Sequence, residues 1–236
     1  MLLIREEHSV RGETEEEFDE TVRDEWLPAL GKTDDARLLY YTRLAHGSGE
    51  AYRIITYTLV RDGAAWERFM HKVHDGELKS LSAKLDGMRH FVDGKILVPL
   101  PWSKLQDIDL DSVPTQAGDH ELSLFMEDTV YPREGLLDEY IQKSGEQYAG
   151  DYDKSFPDTP KLLEIEAGFR TAHGTARRSE IVLWQRVLLY DGLLHLLKSE
   201  IPEEYRKPGK WMVDALTLRD QWHSRLVRTV SWSPLF

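Results

Sequence analysis

The chain has 236 residues, 41% of them hydrophobic and 31% charged, a formal net charge of −12 and no cysteine. Such a composition suits a globular protein of one large domain or two small ones, and the missing cysteine excludes disulfides, thiolate metal sites and thiol catalysis. Lys and Arg are scattered rather than clustered, so the acidic surface argues against a nucleic-acid partner, whose phosphates it would repel.

Taken in order, residues 2–10 read as a strand. Thr14 and Glu17 then form a capping-box pattern, in which the Thr side chain accepts from first-turn amides and the Glu reaches back to the cap. Phe18, Val22, Trp26 and Leu30 recur every four residues, as on one face of a helix. Residues 36–45 and 51–60 read as a hairpin around a turn at His46. Asp62 caps a second helix with an apolar stripe of Trp66, Phe69, Met70 and Val73. Asp75-Gly76 interrupts it, a shorter helix follows to about Asp86, and residues 95–100 close the set as a strand.

The same order returns. Residues 121–130, 162–171, 179–188 and 225–231 read as strands, and helices are expected from Pro132 to about Tyr148, Asp191 to about Ser199 and Lys210 to about Trp222. Ala45-His46-Gly47 recurs as Ala172-His173-Gly174, Asp62-Gly63 as Asp191-Gly192, Gly76 as Gly209, His90 as His223, and Trp102-Ser103-x-Leu105 as Trp232-Ser233-x-Leu235. These offsets all fall between 127 and 133 residues. Two tandem copies follow: 1–105 and 119–236, joined by a polar linker at 106–118. Each is a β-α-β-β-α-β unit, so the expected class is α+β, two ferredoxin-like repeats with antiparallel sheets.

This order of elements resembles the dimeric α/β-barrel superfamily as a tandem fusion. The broken second helix, with Gly209-Lys210-Trp211 opening the next one, resembles the NIPSNAP-type branch, although Leu78 stands where the first copy should carry the Trp. The resemblance implies that the strand faces turned away from the helices enclose a barrel. It leaves chemistry open, because such families include cofactor-free monooxygenases, polyketide cyclases and haem enzymes.

Strand alternation separates a polar-aromatic face from an apolar one. The first carries Arg5, Glu7, Arg37, Tyr41, Arg43, Arg53 and Tyr57 in copy one. In copy two it carries Phe125, Glu127, Glu164, Glu166, Arg170, Glu180, Trp184 and Arg186. The anchors set Glu7 on Glu127, Arg43 on Arg170 and Tyr57 on Trp184. As a site, this face would take a small apolar or aromatic ligand without a cofactor. Glu127 or Glu7 would be the base if burial raises its pKa, and Arg5, Tyr41, Arg43, Tyr57, Arg170, Trp184 and Arg186 would line the ligand. As structure, the same charges would pair in an internal network, Arg from one copy against Glu from the other.

The other constellations are weaker. Glu67, His71, His74 and Asp75 share a helix, but no third ligand and no counterpart in copy two support a metal there. A haem-dependent protein, with His71, His74 or His195 as axial ligand, is the alternative cofactor reading, and a non-catalytic interaction module is the third. His46 and His173 suit turns. His90 and His223 stand before the last strands as acid, base or helix tie, and His8 as a packed histidine. Trp102 and Trp232 suit packing. The start of the chain has too short an apolar run for a signal peptide, and no run approaches a membrane span. A cytosolic protein is expected, with a small-molecule ligand and a homo-oligomer as its partners.

Overall fold

The computed structural model describes residues 1–150, 161–175, 179–195 and 203–236, apart from the side chains of Leu194, His195 and Tyr205. Eight antiparallel strands close a barrel in the order β1-β3-β2-β8-β5-β7-β6-β4. They are β1 (Leu2–Val10), β2 (Ala36–Leu44), β3 (Arg53–Val60), β4 (Arg89–Pro99), β5 (Leu124–Pro132), β6 (Leu163–His173), β7 (Ile181–Val187) and β8 (Arg219–Thr229). Strands β1–β4 and β5–β8 each form a ferredoxin-like sheet. The two sheets join through β2–β8 and β4–β6. One chain therefore closes the barrel without a second copy.

The helices lie outside. In the first repeat they are α1 (Glu15–Thr21), α2 (Leu27–Gly31), α3 (Gly63–His74) and α4 (Lys79–Gly87), with a π-helical turn over Val22–Trp26. Among the described residues of the second they are α5 (Leu137–Lys143), continued by a π-helical turn over Ser144–Ala149, and α6 (Trp211–Leu218). Asp62 caps α3 as expected, its carboxylate accepting from the Ala65 amide at 2.8 Å. Among the described residues, no helix is long and apolar enough to cross a membrane.

Several expectations need correction. Thr14 makes no capping bond to an amide; its hydroxyl donates to the carbonyls of Arg11 and Met88. Pro132 ends β5 rather than opening a helix. Strands β4 and β8 start at Arg89 and Arg219, so the preceding helices stop short and His90 and His223 lie within strands. At 190–195 the chain forms a 3-10 helix, and the rest of the helix expected to Ser199 lies outside the described residues.

The endings of the repeats explain their shared Trp-Ser-x-Leu. Trp232, from the end of the second repeat, packs in the first repeat's helix-side core, 4.5 Å from the ring of Tyr41. Trp102, from the end of the first, joins the second repeat's core and donates to the Ile141 carbonyl at 2.9 Å. Ser233 Oγ accepts from the Tyr41 amide at 3.0 Å, and Ser103 Oγ from the Gly168 amide at 3.3 Å. Leu105 and Leu235 both reach the barrel interior. Each repeat is thus fastened by the tail of the other. The polar 106–118 segment is not a free tether either: Ile108, Leu110 and Val113 pack into the same interior cluster.

Candidate functional site

The barrel interior is packed and charged at its centre. Tyr40, Tyr57, Phe125, Phe169 and Trp184 fill it, with ring centroids 4.7 to 6.3 Å apart. Arg5 grips Glu127 with two donors, Nε at 3.0 Å and a terminal nitrogen at 2.7 Å. Arg225 adds 2.9 Å contacts to Glu127 and Glu7, and the Tyr57 hydroxyl also donates to Glu127. Burial alone would raise both carboxyls. The two guanidiniums outweigh it, bringing Glu127 down to about 2 and Glu7 below its ordinary value. The condition attached to Glu127 or Glu7 as a base, a raised pKa, is not met. The geometry is that of the internal ion network.

Arg5, Glu7, Tyr57, Phe125, Glu127 and Trp184 point inward as expected, and the half-buried Arg186 sits 5.7 Å from the centre of the Phe125 ring. Tyr41, Arg43 and Arg170 do not. A bulge between Leu38 and Tyr40 in β2, and another between Ile165 and Ala167 in β6, reverse the alternation. Tyr40 and Phe169 therefore turn inward, although the unbroken alternation put them on the opposite face. Tyr41 lies under the helices, and it and Arg43 bind Asp19 there. Arg170 is exposed on the outside.

A cavity of about 460 Å³ opens instead between the outer face of β1, β3 and β4 and the helices of the first repeat. Phe18, Trp26, Trp66, Phe69 and Met70 wall it, and Glu6, His8, Thr56 and Arg89 supply its polar groups. These are on one face because Ile4, Glu6 and His8 alternate along β1. Arg89 is held by Asp86 at 3.0 Å and donates to His8 Nδ1 at 2.6 Å. A guanidinium can only donate, so His8 is neutral with its proton on Nε2, which faces Thr56 Oγ1 at 3.0 Å. Burial, then the Arg89 charge, lowers the His8 pKa to about 3. Glu6 is different. Burial raises its pKa, opposed by Arg89 and aided by Asp86, and among the described residues it has no hydrogen-bond or ion-pair partner.

The second repeat shows what a closed version of this place looks like. Bulges in β4 and β8, opposite Ser9/Val10 and Tyr131/Pro132, fix the structural match of β1 to β5. The two π-helical turns occupy equivalent positions in the same register. In this register Arg5 matches Glu127, correcting the pairing of Glu7 with Glu127, and Glu6 matches Asp128. Arg89 matches Arg219, so His90 and His223 are not equivalent. Burial raises the Asp128 pKa too, but Gln185 donates to Asp128 at 3.0 Å and Tyr148 donates to Gln185. Tyr140, Tyr148 and Trp211 pack over them. Phe18 and Trp26 stand where the second repeat has Tyr140 and Tyr148, and Thr58 where it has Gln185. The first repeat thus leaves its carboxyl unclaimed.

The remaining histidines stand apart. His46 and His173 precede glycines with φ of 87° and 89°, the left-handed turn conformation glycine favours. His90 and His223 are exposed on strands. His71 and His74 are exposed on α3; His74 reaches the cavity rim and His71 does not line it. Among the described residues no group of three or more candidate ligands could hold a metal ion. Haem does not fit His74. A ligating imidazole is normally oriented by a hydrogen bond from its other nitrogen, and His74 has no such partner among the described residues. Both ring nitrogens of His8 are already engaged. The His195 side chain lies outside the described residues.

No family model matches the sequence, and no curated protein matches it. Solved structures do. A provisionally named monooxygenase from Fusobacterium nucleatum subsp. nucleatum superposes with a TM-score of 0.61 at 8% identity, covering 99% of this chain and 94% of that one. An anthrone oxidase-like protein gives 0.55 at 10% identity, covering 97% and 91%. A chlorite dismutase variant from Candidatus Nitrospira defluvii gives 0.52 at 6% identity, again covering 97% and 91%. At these identities the likeness is one of fold. The shared fold is a closed α/β barrel, with both ferredoxin-like halves carried on one chain.

Proposed function

We propose that the protein is a cofactor-independent enzyme of acid–base chemistry, acting on an apolar, aromatic small molecule in the first repeat's helix-side cavity. One observation carries this reading: Glu6 is a carboxyl of raised pKa, without a hydrogen-bond or ion-pair partner among the described residues, in a chamber walled by Phe18, Trp26, Trp66 and Phe69. A desolvated carboxylate is a stronger base than one in water, and moving its pKa toward neutrality improves it as a proton acceptor at working pH. The substrate would be a neutral, flat O–H or activated C–H acid. Glu6 takes the proton, and the charge left on the substrate meets the Arg89 guanidinium and the Thr56 hydroxyl. Thr56 is ready for this because His8 Nε2 donates to it, leaving its own proton free. Asp86 and Arg89 position this chain and hold His8 in the required tautomer. The oxidase- and monooxygenase-like names of structural neighbours agree with such carbanion or phenolate chemistry but do not supply its substrate.

The test is a panel of neutral phenols and anthrone-type aromatics, scored by Trp fluorescence for binding and by oxygen uptake and product analysis for turnover. Glu6→Gln should keep binding within about threefold and lose turnover by about 100-fold or more. Full turnover in Glu6→Gln removes Glu6 as the base. Binding unaffected by Ser82→Trp, which puts an indole on the cavity wall, places the ligand elsewhere.

A further inference from the structure

The two repeats differ at a second place, and here the second repeat is the open one. In the first, Arg43 is clamped: Glu15 lies 3.3 Å away, Asp19 binds it directly, and the Tyr41 hydroxyl donates to Asp19. The structural register carries Glu15 to Leu137, Asp19 to Ile141, Tyr41 to Gly168 and Arg43 to Arg170. The cation is kept and every partner is replaced by an apolar or small residue. Arg170 has no ion pair or hydrogen bond among the described residues. It borders a groove of about 590 Å³ with Pro99, Trp102, Ile141, Gln142 and, as its one carboxylate among the described residues, Asp138. Trp102 is fixed there because its indole nitrogen donates to Ile141, and its ring lies where a Cβ on Gly168 would sit, 2.3 Å away.

We propose that this groove is a second small-molecule site, for a monocarboxylate with a flat apolar body. Arg170 supplies the two-donor fork that matches a carboxylate, and Trp102 with Pro99 and Ile141 covers the body. Gln142 lies at the edge, its amide nitrogen already donating to Glu146 at 2.8 Å. Asp138 on the rim disfavours a second negative charge. The site is separate from the Glu6 cavity and stands whether or not Glu6 is a base.

The probe is 1-naphthoate, compared with its neutral isostere 1-naphthamide, by titration calorimetry on the full chain. Naphthoate should bind saturably and naphthamide about tenfold more weakly. Arg170→Gln should weaken naphthoate about tenfold, leave naphthamide unchanged, and leave the melting temperature alone because Arg170 is exposed and unpaired among the described residues. Ile141→Asp, which rebuilds the first repeat's clamp, should also weaken naphthoate. Glu6→Gln and Ser82→Trp should not affect it. The proposal fails if millimolar naphthoate gives no saturable signal or if Arg170→Gln binds it normally. It also fails if the loss follows Ser82→Trp, since the ligand then sits in the other cavity.

Discussion

Glu6, His8 and Glu127 are three ionisable groups with three different costs, the first half-buried and the other two buried. Glu6 has a raised pKa and, among the described residues, no hydrogen-bond or ion-pair partner, so its ionised form is unfavourable in the fold. A carboxyl raised in the folded state loses stability as pH climbs from the unfolded pKa through the folded one. Glu6→Gln should therefore raise the melting temperature at pH 8 while removing turnover; a lower melting temperature would show that Glu6 has a hidden structural partner. His8 has the opposite slope. Its pKa falls from 6.5 to about 3 on folding, so the unfolded chain binds more protons between those values. Stability should drop by about 1.4 kcal/mol per pH unit on acidification below about 6.5, and His8→Gln should flatten that slope in pH-dependent denaturant titrations. Glu127 adds a second loss at lower pH. Its lowered pKa gives stability that is complete above about 4.5 and disappears as pH falls toward about 2. The sequence made Glu127 and Arg5 visible through their shared polar register. Glu6 escaped notice because it sits between Ile4 and His8, on a register read as apolar floor. A charged residue interrupting that floor was the available signal.

At the scale of elements, periodicity carried most of the architecture. The four-residue spacing of Phe18, Val22, Trp26 and Leu30 marked the first helix, and the hairpin of β2 and β3 fell close to its expected place. The faces of β1, β3, β5 and β7 were legible because their alternation is unbroken. Those of β2 and β6 were not, because one extra residue in each strand reverses every side chain beyond it, and a bulge has no periodicity of its own. Its trace lay in the Trp-Ser-x-Leu endings, whose serines accept from the amides of Tyr41 and Gly168 just beyond the bulges. These clips should matter for stability. Trp232→Ala removes a nearly buried indole from the first repeat's core and should cost about 3 to 5 kcal/mol by denaturant unfolding. Gly168→Ala would place a methyl 2.3 Å from the Trp102 ring and should cost about 1 to 3 kcal/mol. Normal stability in both variants would mean that the tails rest on the barrel without fastening it.

Across the whole molecule, the two repeats have diverged in complementary directions. The first keeps an open chamber around Glu6 where the second closes Asp128 with Gln185 and Tyr148. The second keeps Arg170 open where the first clamps Arg43. Composition could exclude classes of chemistry, but this division could not be read from it, because it depends on which residues meet across a register set by bulges. The seams are short, with three residue pairs between β2 and β8 and four between β4 and β6. Cohesion of the halves therefore rests heavily on the interior, where Arg5 and Glu127 occupy equivalent positions and touch each other. A symmetric pair of first repeats would set arginine against arginine at that point, and a pair of second repeats glutamate against glutamate. Both self-assemblies would bury like charges, which costs far more than a surface repulsion. Arg5→Glu or Glu127→Arg alone should thus strongly destabilise the chain, and the double exchange should recover much of the loss, measured as a coupling energy in a double-mutant cycle. Additive losses would show that the pair is incidental. If coupling is found, the contact acts as a mating-type rule: each half recognises the other as unlike itself, and covalent linkage guarantees that the permitted partner is always present.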